Sequence, residues 1–162
     1  MTRLILFAIF TFFYSITFSQ GGRYILGKNY EGYAFPKEHQ IWGTPTTPNR
    51  HTLSDEEIAE AERILRSNIK KYNQTLLVGG EKIVIRYRLK KYIRQYCSYI
   101  NDDGNTIVII HLFLKKNRSS DMWREMLSDD ILMVLGGSNL EGAFEVNLKT
   151  KELKRDYDLF FY

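Results

Sequence analysis

The sequence predicts an α+β fold: one long amphipathic helix packed on an antiparallel sheet of about five strands, preceded by an irregular N-terminal arm. Three observations predict it. A capped stretch of helical period occupies 54–72, the apolar period shortens to two after Gly80, and strand patterns then follow in a run. Strands in succession after a single helix point to α+β and away from a parallel doubly wound sheet.

The helix is the clearest element. Ser54 is an N-cap residue, and Glu57 three positions on completes a capping box. Asp55, Glu56 and Glu57 suit the positive end of the helix dipole. Ile58, Ala61, Leu65, Ile69 and Tyr72 form one stripe at helical spacing, while Glu60, Glu62, Arg63, Arg66 and Lys70 fall largely off it. The helix is expected from about Asp55 to Tyr72, with its stripe in the core.

The strands follow. Ile83, Ile85, Tyr87 and Leu89 alternate with Val84, Arg86, Arg88 and Lys90, and strand character continues from Lys90 to Ile100. "NDDGN" is a hairpin signal and "TIVIIHLFLKK" the returning strand. The turn is either Asp103-Gly104 or Asp102-Asp103-Gly104, and the two differ by one residue in register. "NRSSDMWREMLSDD" reads as a polar connection with one helical turn around Met122 to Met126. "ILMVLGG" and the segment from Ala143 onward supply further strands, turning near Lys149 to Glu152. The glycines between Gly136 and Gly142 read as a strand-to-strand bend. Phosphate loops need Lys-Ser/Thr after the second glycine or a helix following it, whereas Gly142 is followed by Ala143-Phe144 and an alternating pattern.

The N-terminus has the layout of a secretory signal peptide over 1–19. Arg3 precedes an apolar run from Leu4 to Phe13, and the expected cut follows Ser19 with Thr17 at the −3 position. The run is short of the roughly 20 residues a transmembrane span needs. An uncleaved anchor is the alternative. Removing 19 of the 162 residues leaves 143, enough for one domain with its own core. Residues 20–50, rich in Tyr, Gly and Pro, read as an irregular arm pinned by Tyr24, Tyr30, Tyr33, Phe35 and Trp42, and 51–162 as a single α+β domain. The expected location is periplasmic or extracellular, with no membrane span in the mature chain.

Charge and cysteine content exclude some classes. The net charge is +4, too weak to argue for nucleic acid, and export argues against it as well. A single cysteine, Cys97, leaves no internal disulfide, and its strand context reads as core. His39, His51 and His111 lack metal-ligand spacing, so neither metal nor cofactor is expected. Asp102-Asp103 and Asp129-Asp130 read as turn and element-end residues, and no Gly-x-Ser-x-Gly elbow occurs. No catalytic residue is assigned.

Two surfaces are candidates for binding. Arg94 and Tyr96 on one strand, with His111 and Phe113 on the next, would share the open face of the sheet if the register brought them together. Lys82, Arg86, Arg88, Lys90 and Lys91, interleaved with tyrosines, would form a basic-aromatic strip for a polyanion or glycan. A solvated strand face is the simpler explanation of that strip.

"LKKYIRQYCSYINDDGNTIVIIHLF", with its Tyr-x-Arg-Gln-Tyr strand, and the late "ILMVLGGSNLEGAFEVNLKTKEL" resemble a group of small exported proteins of Gram-negative bacteria. "TPT" and "DEEIAEAERIL" fit the same layout, and Leu135 stands where an aspartate is usual. The resemblance implies export and a shared fold, and no activity. At the level of fold analogy the architecture is of cystatin-like or NTF2-like style. The sequence alone does not define a function. Its expected class is a non-catalytic interaction module of the cell envelope, an inhibitor or accessory protein being one form, with an envelope or extracellular protein as partner. The alternatives are an envelope enzyme with a dispersed site on the open face, or a polyanion binder.

Overall fold

The computed structural model describes residues 21–39, 49–75, 89–115, 121–131 and 141–155. The leader, Trp42, the strand expected at 82–88, "LMVLGG" and the glycines from Gly136 to Gly137 lie outside these residues. Strands β1 (Arg23–Gly27) and β2 (Tyr30–Ala34) come first, then helix α1 (Asp55–Thr75), strands β3 (Tyr92–Ile100) and β4 (Thr106–Leu114), helix α2 (Asp121–Asp129), and strands β5 (Glu141–Asn147) and β6 (Leu153–Arg155). The six strands form one sheet in sequence order, β1 to β6.

The fold is α+β, and several expectations about it change. Part of the expected irregular arm is a regular hairpin: Gly27 pairs with Tyr30 across the two-residue turn Lys28-Asn29. Its second strand enters the sheet parallel to β3, with Gly32 opposite Arg94 and Ala34 opposite Tyr96. The sheet is therefore mixed, antiparallel everywhere except at β2–β3. A parallel neighbour needs a long crossover, and the segment holding α1 supplies it. Gly32 permits the close approach: a Cβ there would run into the Arg94 carbonyl oxygen. The second change is α2, a nine-residue helix where one turn was expected. Leu127, fully buried, anchors it on the sheet beside Ile93 and Phe113.

Helix α1 begins as its sequence dictates. Ser54 Oγ accepts from Glu57 N at 3.2 Å, and Glu57 Oε2 accepts from Ser54 N at 2.9 Å. The stripe Ile58, Ala61, Leu65 and Ile69 is buried, together with Ile64. It packs on one face of the sheet against Tyr92, Tyr96, Ile110 and Phe144. The opposite face holds Cys97, Ile109, Ile93 and Phe113, covered in part by Phe35, Ile131 and Leu127. The sheet is thus packed on both faces rather than open on one.

The β3–β4 turn settles the register. Asn101 N donates to Asn105 O at 3.0 Å, Gly104 N donates to Asn101 O at 2.9 Å, and Gly104 sits at φ 72°. This is the three-residue turn Asp102-Asp103-Gly104, with glycine in the left-handed position. The β5–β6 turn falls where expected. Asn147 Oδ1 accepts from Lys149 N and Thr150 N, and Lys151 adopts φ 61°. Strand β3 starts at Tyr92, because Leu89–Lys91 is a 3-10 turn and not strand.

Candidate functional site

The register decides the fate of the expected Arg94–Tyr96–His111–Phe113 face. A two-residue turn would have set Arg94 opposite Phe113 and Tyr96 opposite His111. The observed turn sets Arg94 opposite Leu112, Tyr96 opposite Ile110 and Gln95 opposite His111. Side chains alternate along a strand, so this one-residue difference sends the two pairs to opposite faces. The four residues do not form one surface.

Arg94 and Tyr96 lie beneath α1, where Glu62 reaches down to them. Arg94 Nε donates to Glu62 Oε1 at 2.8 Å, and Nη2 to Oε2 at 3.3 Å. The Tyr96 hydroxyl donates to Glu62 Oε1 at 3.0 Å, and Arg94 Nη1 donates to the Tyr92 carbonyl. All three side chains are buried. Burial pushes the Tyr96 phenol well above its ordinary 10.0, and the nearby Glu62 charge adds to the effect. Glu62, expected off the apolar stripe, is instead the buried acceptor of this cluster. The cluster fixes α1 on the sheet.

His111 and Phe113 lie on the other face. Their rings are 6.4 Å apart, and Phe113 packs against Leu127 of α2. Gln95, beside His111, donates from Nε2 to the carbonyls of Leu127 at 2.8 Å and Asp130 at 2.7 Å. It satisfies carbonyls at the end of α2 that the helix itself cannot pair.

The other two histidines each meet a carboxylate. His39 Nε2 lies 3.0 Å from Asp130 Oδ1, and His51 Nε2 lies 2.9 Å from Glu57 Oε2 at the cap of α1. Cys97 is buried in the core, and burial raises its thiol from 9.0 to about 12. Among the described residues, no three His, Cys, Asp or Glu side chains group to hold a metal ion. Of the basic strip, Lys90 and Lys91 are exposed in the 3-10 turn before β3, and Lys82, Arg86 and Arg88 lie outside the described residues.

Two surface features went unread in the sequence. The first is a shallow depression of about 140 Å³ between β3, β4, β5 and β6, bordered by Tyr99, Glu145, Asn147, Glu152 and Lys154. Tyr99 donates to Glu145 Oε1 at 3.1 Å across it. The second is apolar. On β1, Tyr24 and Leu26 project from one face with 51% and 74% of their surface exposed; on α2, Met122 and Met126, one helical turn apart, are 61% and 41% exposed. The two elements adjoin: Gly22 N donates to Ser128 O, and the Arg124 charge acts on both Tyr24 and Glu31. Period-two spacing on β1 was a usable signal, but it needed the hairpin to be recognised first.

The architecture defines the chain as an α+β protein, whose described residues form a six-stranded mixed sheet and two helices. No protein-family profile matches it, and neither a curated protein nor a solved structure does.

Proposed function

We propose that the protein is an exported, non-catalytic interaction module of the cell envelope, which binds another protein through the apolar surface of β1 and α2. One observation carries the reading: Tyr24, Leu26, Met122 and Met126 are large, apolar and exposed on adjoining elements. Methionine suits such a surface, because its unbranched thioether adapts to a partner's shape. The leader-like N-terminus and the resemblance to small exported proteins support the location. No helix among the described residues is long and apolar enough to cross a membrane.

The enzymatic alternative loses its proposed constellation, since Arg94 and Tyr96 are separated from His111 by the sheet. The polyanion alternative rests, among the described residues, on Lys90 and Lys91 alone.

The test is capture from envelope and culture fractions of the host, with the tagged protein and its Met126→Asp and Leu26→Asp variants as baits. A single partner held at stoichiometric yield by the native chain and released by the variants is the expected result. Binding that survives both substitutions, or no specific capture at all, would overturn the assignment.

A further inference from the structure

Among the described strands β1 stands at one end of the sheet, and the direction of its backbone groups follows from its neighbours. Phe35 N donates to Tyr96 O at 2.9 Å, so odd-numbered residues of the β2 segment turn toward β3. Even-numbered residues turn toward β1, where Tyr30, Gly32 and Ala34 face Gly27, Ile25 and Arg23. The amides and carbonyls of Tyr24 and Leu26 therefore point outward. Among the described residues no strand pairs with that edge. The segment Arg-Tyr-Ile-Leu-Gly carries no proline and no central charge, the usual means of blunting an edge strand.

We propose that this edge is closed by the same edge of a second copy of the chain, antiparallel about a two-fold axis through Ile25. In that register Tyr24 of each copy pairs with Leu26 of the other. All the new backbone hydrogen bonds then use the outward groups of these two residues. Registers shifted by two fail on this point. One calls on Gly22 N, which already donates to Ser128 O, and the other calls on Lys28 in the hairpin turn. The charges also agree: Arg23 meets the second copy's Gly27, so no cation faces a cation across the paired residues. A two-fold interface must be self-complementary in this way. Each Tyr24 ring lies beside a Leu26 side chain, a favourable cross-strand pair. The product is one sheet continuous across the two copies, which brings two Tyr24–Leu26 pairs together between two copies of α2.

Sedimentation of the protein purified from its own host, across the micromolar range, tests this. The expected result is a concentration-dependent doubling of mass. Leu26→Pro removes one outward N–H without touching the β1–β2 bonds, and is expected to sediment as a monomer and to unfold at the concentration-independent midpoint that the native chain approaches on dilution. Because a proline could disturb the strand, Tyr24→Lys/Leu26→Lys serves as a second variant. It sets lysines against each other across the axis and is also expected to be monomeric. A native chain that stays monomeric, or a dimer that both variants leave intact, would overturn the proposal. So would a photo-crosslink from position 26 to a segment of a different protein in place of a second copy. Capture of an envelope partner by a strictly monomeric chain would sink the dimer alone, so the two readings fail separately.

Discussion

Arg94 and Glu62 meet at 2.8 Å between β3 and the underside of α1, with side-chain exposures of 0% and 1%. Such a pair costs desolvation on both sides and is held by good geometry and by the added bonds from Tyr96 and to the Tyr92 carbonyl. Removing one partner strands the other charge. Glu62→Leu and Arg94→Met are each expected to destabilise by about 3–5 kcal/mol. The double substitution is expected to cost far less than the sum. Urea unfolding of the four proteins gives the coupling directly, and additive single effects would refute it.

Gly32 and Arg94 make the parallel contact between β2 and β3. A Cβ on Gly32 would strike the Arg94 carbonyl oxygen, its carbonyl carbon and its Cβ. Backbone cannot yield cheaply, so Gly32→Ala is expected to cost about 2–4 kcal/mol, a large value for one methyl group. The loss should be local first, so limited proteolysis should cut the β1–β2 hairpin well before the β3–β4 hairpin. Equal cleavage of both would count against the tight-approach account.

Glu60 faces solvent on α1 and accepts bonds from Arg63, 2.7 Å away, and from Lys151 of the β5–β6 turn, also at 2.7 Å. The Arg63 bond first, then the Lys151 bond, lowers its carboxyl from 4.5 to about 2. A depressed carboxyl pKa stabilises the fold above the unfolded value, and that stability is lost as pH falls through the folded value. Native protein should therefore lose a small stabilisation between pH 4.5 and 2 that Glu60→Gln never has. The difference in Tm should also shrink in high salt, because the pair is screened. Parallel pH profiles for the two proteins would contradict the assignment.

Cys97 is expected to be inert in the folded state. Burial holds its thiol at about 12, so almost no thiolate exists at pH 8. A thiol reagent should react only through unfolding, slowed by a factor on the order of 10³ or more for a domain of ordinary stability. The yield in urea should be one thiol per chain. Rapid labelling without denaturant would show that the strand opens.

The sequence by itself determined what short-range chemistry determines. Ser54 and Glu57 fix the start of α1 through bonds three residues apart, and its stripe fixes which side is buried. Asn101 to Asn105 mark the hairpin, and Cys97 reads as core from its apolar neighbours. The tertiary structure decided whatever depends on partners distant in the chain. Glu62 looks like a surface residue until Arg94, 32 positions away, is set beneath it. The β1–β2 hairpin hides in a Gly- and Tyr-rich stretch because its edge strand leaves Tyr24 and Leu26 outside, blurring the alternation. The parallel β2–β3 contact has no local signal, since its two strands lie far apart in the sequence with α1 between them. The candidate face turned on a single residue in the Asp102-Asp103-Gly104 turn. Side chains change sides at every step along a strand, so one residue of register separated Arg94 and Tyr96 from His111 and Phe113 by the thickness of the sheet.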